Sequence, residues 1–111
     1  MGLNSAMAKL PGDRRTETAV HTVLEMLRTR AGEWACAGDL TPRVGQPEPA
    51  VRVILSVLAE SRVLQSDGDR YRYVYDRVID LDIERFLRRS KQHQRFTQNN
   101  VAKFRDLYGR H

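Results

Sequence analysis

Few side chains in this sequence are spaced for covalent chemistry. Cys36 is the single cysteine. It has no cysteine or histidine partner at ligand spacing and no adjacent base, so a buried structural thiol is expected rather than a nucleophile or redox sensor. His21 falls beside an apolar stripe and is expected to be neutral and partly exposed, not a metal ligand. Asp80, Asp82 and Glu84 cluster, but at i, i+2, i+4 on a helix the three do not share one face. They read as partners of a helix N-terminus. No Gly-rich phosphate loop, paired metal ligands or recognisable nucleophile–base arrangement occurs. The chain therefore reads as non-enzymatic, with no metal and no cofactor.

Cations offer a different chemistry. The chain holds 19 Lys+Arg and 14 Asp+Glu, a formal net charge of +5. From Arg85 to His111 stand eight basic residues (Arg85, Arg88, Arg89, Lys91, Arg95, Lys103, Arg105, Arg110) and one acid, Asp106. That stretch carries +7 and residues 1–84 carry −2. A basic segment on a near-neutral body points to phosphate as a partner. Taken alone, such a run is as often a solvated helix face. A second basic set, Arg70 and Arg72, alternates with Tyr71, Tyr73 and Tyr75. In a strand this puts cations on one face and aromatic rings on the other. The rings fit packing on a helix better than base stacking.

The elements that position these residues follow from periodicity. With 111 residues, 41% hydrophobic and 30% charged, the chain has room for one modest core. No run approaches the ~18–20 apolar residues that cross a bilayer. The opening lacks the apolar stretch of a secretory signal, and one cysteine allows no internal disulfide. A cytoplasmic, nucleoid-associated location is expected.

Residues 1–13, with Gly2, Pro11 and Gly12, read as a flexible tail. Thr16 to Thr29 is a helix with Val20, Val23, Leu24 and Leu27 on its inner side, capped by Thr16 or Asp13. Glu33 to Ala37, with Trp34 expected to pack under the helices, is a small strand or the entry to the next helix. Gly38 to Val44 is a second short helix ended by Gly45. A third opens at Pro47-Glu48-Pro49 and runs to Glu60, with Val53, Ile54, Val57 and Leu58 as its apolar stripe. Arg62 to Ser66 and Arg70 to Tyr75 are strands joined at Asp67-Gly68. Asp76 caps a helix to about Ser90; after a break near Ser90 to Thr97 a further one ends near Gly109, although one long helix with a polar waist also fits. The fold class is mainly α with a small β-hairpin, α+β.

Three helices, a short turn between the second and third, then a hairpin: this order resembles the winged helix-turn-helix. The likeness is carried by Asp39-Leu40, Val44-Gly45, Ala50 through Leu58, Arg62-Val63-Leu64 and Asp67 through Arg72. It is similar to the DNA-binding part of bacterial repressors of the IclR and MarR types, over roughly residues 18–75. The domain division that follows is a tail at 1–13, a winged domain at 14–75 and C-terminal helices at 76–111.

The resemblance implies a transcriptional regulator that places helix 47–60 in the major groove of double-stranded DNA and hairpin 62–75 on the backbone. Gln46, Glu48, Arg52 and Ser56 would then face bases, with Val51 nearby. Arg43, Arg62, Arg70 and Arg72 would meet phosphate, joined by Arg88, Arg89, Lys91 and Arg95 of the basic segment. A homodimer is implied, held by Ile83, Phe86, Phe96, Val101, Phe104 and Tyr108; the alternative for this region is that it folds back on the first helix of its own chain. Arg52 is the only basic residue of the third helix, where readers usually present several polar donors. The alternative is therefore a protein-interaction adaptor built on the same fold.

Overall fold

The computed structural model describes residues 2–90. Leu3, Ala6, Met7 and Leu10 stand at i, i+3, i+4 and i+7, and they fold as helix α1 (Leu3–Lys9). Leu3, Ala6 and Leu10 are buried. The expected tail at 1–13 is corrected here. A helix of 7 residues does not hold alone; its apolar side is covered by the domain, and the Gly2 amide donates to the Ser61 carbonyl at 2.9 Å.

Helix α2 (Arg14–Thr29) begins just ahead of its expected start, because Asp13 is the cap. The Asp13 carboxylate accepts the Thr16 amide at 2.7 Å, and that bond holds its pKa below the ordinary carboxylate value. Val20, Val23, Leu24 and Leu27 are buried as their spacing dictates. Strand β1 (Ala35–Cys36) leads directly into helix α3 (Ala37–Val44), so the short apolar stretch is both strand and helix entry. Asp39 accepts the Cys36 amide at 3.0 Å. Cys36 itself is half-buried rather than buried.

Gly45 ends α3 in the left-handed region, at φ 71, and Pro47 sets the entry of helix α4 (Glu48–Glu60). Its buried residues are Val51, Ile54, Leu55 and Leu58. The expected period is right, but its phase is turned: Val53 points outward at 55% exposure. Helix α1 covers part of this inner side.

The C-terminus of α4 uses a turn that takes up the start of the first expected strand. Arg62 takes φ 64, the only positive φ at a non-glycine residue among those described. Its amide donates to the Ala59 carbonyl at 3.0 Å, and the Val63 amide donates to the Leu58 carbonyl at 2.9 Å. Val63 and Leu58 are buried against the core. This is the paired bonding and apolar closure of a Schellman cap, with arginine where glycine is usual. Strand β2 (Gln65–Asp67) therefore starts later than expected.

Strand β3 (Arg70–Arg72) follows, and Gly68, at φ 61, opens the two-residue loop between them. The hairpin is part of a larger sheet: β3 lies between β1 and β2, all antiparallel, with Ala35 opposite Tyr71 and Ser66 opposite Tyr71. Tyr71 and Tyr73 are buried, so the aromatic face packs inward; Tyr75 is 67% exposed.

Helix α5 covers residues 77–90 of the described chain. Asp76 caps it, accepting the Val78 and Ile79 amides at 3.0 and 3.1 Å. Ile83 and Phe86 sit in the core at 0% and 4% exposure. Their expected place in a dimer interface is corrected: the monomer consumes them. The result is a mainly helical α+β domain with a three-stranded antiparallel sheet.

Candidate nucleic-acid interface

The outer side of α4 is free of the core from its first turn to its last. Glu48 and Arg52, one turn apart, form an ion pair of 2.8 Å with both side chains more than half exposed. Val53 stands beside them, and Pro49 and Val57 continue the same shallow groove. Ser56 is half-buried, its hydroxyl 3.3 Å from that of Tyr71, so it braces helix against sheet. Val51, expected near the bases, is fully buried and does not reach this face. Gln46 is half-buried in the turn before α4, and Arg43 is exposed near the end of α3.

The sheet contributes the next group. Arg62 is exposed at the start of the hairpin segment. Arg70 pairs with Asp67 across the hairpin at 2.7 Å. Arg72 donates to the Gln65 amide oxygen at 3.0 Å. Both guanidiniums lie over the Trp34 ring, Arg72 at 4.3 Å and Arg70 at 5.2 Å from its centroid. Trp34 was expected under the helices; it is half-buried, with the outer side of the sheet as its partner. The alternation of Arg and Tyr in β3 signals the basic face, but nothing in it shows that a ring from before β1 would join.

Arg88 and Arg89 are exposed on α5, Arg88 bonded to Glu84 at 3.0 Å. Lys91, Arg95, Phe96, Val101, Phe104 and Tyr108 lie outside the described residues. Of the acidic trio, Asp80 is not merely a dipole partner. It accepts two hydrogen bonds from Arg28 of α2, and one from the Tyr73 hydroxyl at 2.8 Å. Arg28 draws the Asp80 pKa below the ordinary carboxylate value. Burial first, and then the bond to Asp80, pushes Tyr73 up to about 12. This cluster fixes α5 on α2 and lies among the elements, not on the α4 face.

His21 has an i+4 partner, Glu25, at 3.0 Å. Among the described residues, no group of three or more His, Cys, Asp or Glu is placed to hold a metal ion. No helix there is long and apolar enough to cross a membrane.

Comparison of the chain with protein-family models, with curated proteins and with solved structures found no match.

Proposed function

We propose that this chain is a winged helix-turn-helix protein that binds double-stranded DNA as a homodimeric transcriptional regulator. The observation that carries this reading is the element order from α2 through β1, α3, α4, β2 and β3, closed by a sheet of order β1-β3-β2. It leaves α4 with one exposed side next to a hairpin whose outer face carries Arg70 and Arg72, opposite Asp67 and Gln65.

In this reading α4 enters the major groove. Arg52 donates to guanine, Glu48 accepts from the cytosine amino group, and Val53 meets a thymine methyl group. Arg43, Arg62, Arg70 and Arg72 contact phosphates, and Arg88 and Arg89 extend the basic surface. Phosphate contacts set register and base contacts set specificity. The dimer contact is assigned to the outer side of α5, where Val78 and Leu81 are 68% and 47% exposed, with Tyr75 exposed in the segment just before the helix. A two-fold pair sets two α4 helices about one DNA turn apart, ~34 Å.

The test is a titration with a random-sequence duplex followed by selection of preferred sites. Salt-sensitive binding and recovery of an inverted repeat support the reading. No binding at low salt rejects it.

One observation favours a second reading, a protein-interaction adaptor. The α4 groove is apolar along Pro49, Val53 and Val57, and its rim carries Glu48, Arg52 and Glu60, with Glu48 and Arg52 paired to each other, so the rim holds one more acid than base. Recovery from the native host of a stoichiometric protein partner, lost on Val53→Asp, selects this reading over DNA.

A further inference from the structure

The outer face of the sheet holds an arrangement around Arg72 that assigning it to a phosphate does not by itself explain. Register places Arg70 between Cys36 and Asp67, and Arg72 beside Gln65. Trp34 precedes β1 and brings its ring against both guanidiniums, most closely that of Arg72. Arg28, Arg52, Arg70 and Arg88 are each bonded to a carboxylate. Arg72 is bonded instead to a neutral amide oxygen, that of Gln65. Its charge is therefore held in place without being cancelled.

We infer that Trp34 is a positioning residue for Arg72, holding its guanidinium as a rigid two-donor fork for a DNA phosphate. The inference deepens the DNA-binding reading and rests on it. The chemistry is specific to the guanidinium. A guanidinium held over an indole face by attraction to its π-system is restrained in position while its N–H groups stay free to donate. Gln65 takes the Nε donor, leaving Nη donors for paired hydrogen bonds to phosphate oxygens. Lysine carries the same charge but has neither the plane nor the fork. Arg70, second over the ring and partly offset by Asp67, adds charge beside it. A purely structural Arg–Trp contact has the same resting geometry, so the test reads coupling and not stability alone.

The experiment uses the full chain and a mixed-sequence duplex of about 20 base pairs, titrated across a salt series. Arg72→Lys is expected to weaken binding about fivefold to tenfold with the salt slope unchanged, because charge is kept and the fork is lost. Arg72→Ala weakens it further and lowers the slope by about 0.9 for each bound protomer, one phosphate contact apiece. Trp34→Leu weakens binding in the wild-type background and has no added effect in Arg72→Ala; Trp34→Phe restores most of the loss. Arg72→Lys needs no change in the packed ring, so it tests the fork even if Trp34→Leu lowers stability. Equal losses from Trp34→Leu in both backgrounds overturn the inference, as does wild-type binding by Arg72→Lys. In both cases the wild-type chain still binds DNA, and the functional reading stands. A wild-type chain that binds no duplex at low salt removes both.

Discussion

Arg28 and Asp80 lie 52 positions apart and meet as a bidentate pair, Nε to Oδ1 at 3.0 Å and Nη2 to Oδ2 at 3.1 Å. The Tyr73 hydroxyl shares the same carboxylate at 2.8 Å. One residue from α2, one from the end of the sheet segment and one from α5 thus converge. They hold the C-terminal helix on the domain. Asp80→Asn keeps the shape and removes the charge. It is expected to cost about 1–2 kcal/mol, less than a fully buried pair because Arg28 is partly exposed. Differential scanning calorimetry of the purified variant reads this as a lowered Tm, and an unchanged Tm contradicts the assigned role.

The same cluster sets two limbs of a pH profile. The Asp80 pKa is lower folded than unfolded, so its contribution is full above the unfolded value near ~3.9 and is lost as pH falls through the folded value. Asp13 adds to the acid limb in the same sense. Tyr73 is pushed up to about 12. Its contribution is full below the unfolded value near ~10 and is lost as pH rises toward the folded one. Melting temperature against pH should flatten on the acid side in Asp80→Asn and on the alkaline side in Tyr73→Phe.

Arg62 occupies a left-handed conformation, at φ 64, where its Cβ is a cost. Arg62→Gly relieves that cost but raises the entropy of the unfolded chain. The net expectation is stabilisation of about 0.5–1 kcal/mol, measured by urea unfolding, together with weaker duplex binding from the lost cation. Lower stability, or unchanged DNA affinity, contradicts the roles given to this residue.

Two neighbours on α4 separate fold from function. Val51 is fully buried and Arg52 more than half exposed. Val51→Ala is expected to cost about 1.5–3 kcal/mol. Arg52→Ala breaks only an exposed ion pair and leaves stability within about 1 kcal/mol, yet it relaxes selection at one base position by about 1–3 kcal/mol. Denaturant unfolding and binding to a panel of single-base variants distinguish the two.

Much of this architecture is readable from local pattern. The run Val20, Val23, Leu24, Leu27 defines α2, and the glycine after Asp67 marks the hairpin. Leu3, Ala6, Met7 and Leu10 carry the same periodicity, but small alanine and the nearby Pro11 and Gly12 mask it. The phase of α4 is ambiguous because Val51, Val53, Ile54, Leu55, Val57 and Leu58 are all apolar. Only packing decides which of them face in. The first expected strand is shortened by the turn at Arg62, where residue type gives no warning of a positive φ. The pairing of β1 with β3, the Trp34–Arg72 stack and the Arg28–Asp80 pair join distant segments, and no local spacing encodes them.

Assembly has its own test. Val78 and Leu81 are exposed apolar residues one turn apart on α5. Leu81→Glu is expected to shift the chain toward monomer in sedimentation equilibrium while leaving Tm nearly unchanged in dilute solution. A wild-type chain that is monomeric at high micromolar concentration contradicts the dimer.

Duplex affinity measured across a salt series reads most directly whether the α4 face and its arginines bind DNA. With Arg43, Arg62, Arg70 and Arg72 on phosphates, log K should fall linearly with log salt at a slope of about −3.6 per protomer, about −7 for the dimer. A slope near zero, or no binding at low salt, contradicts it.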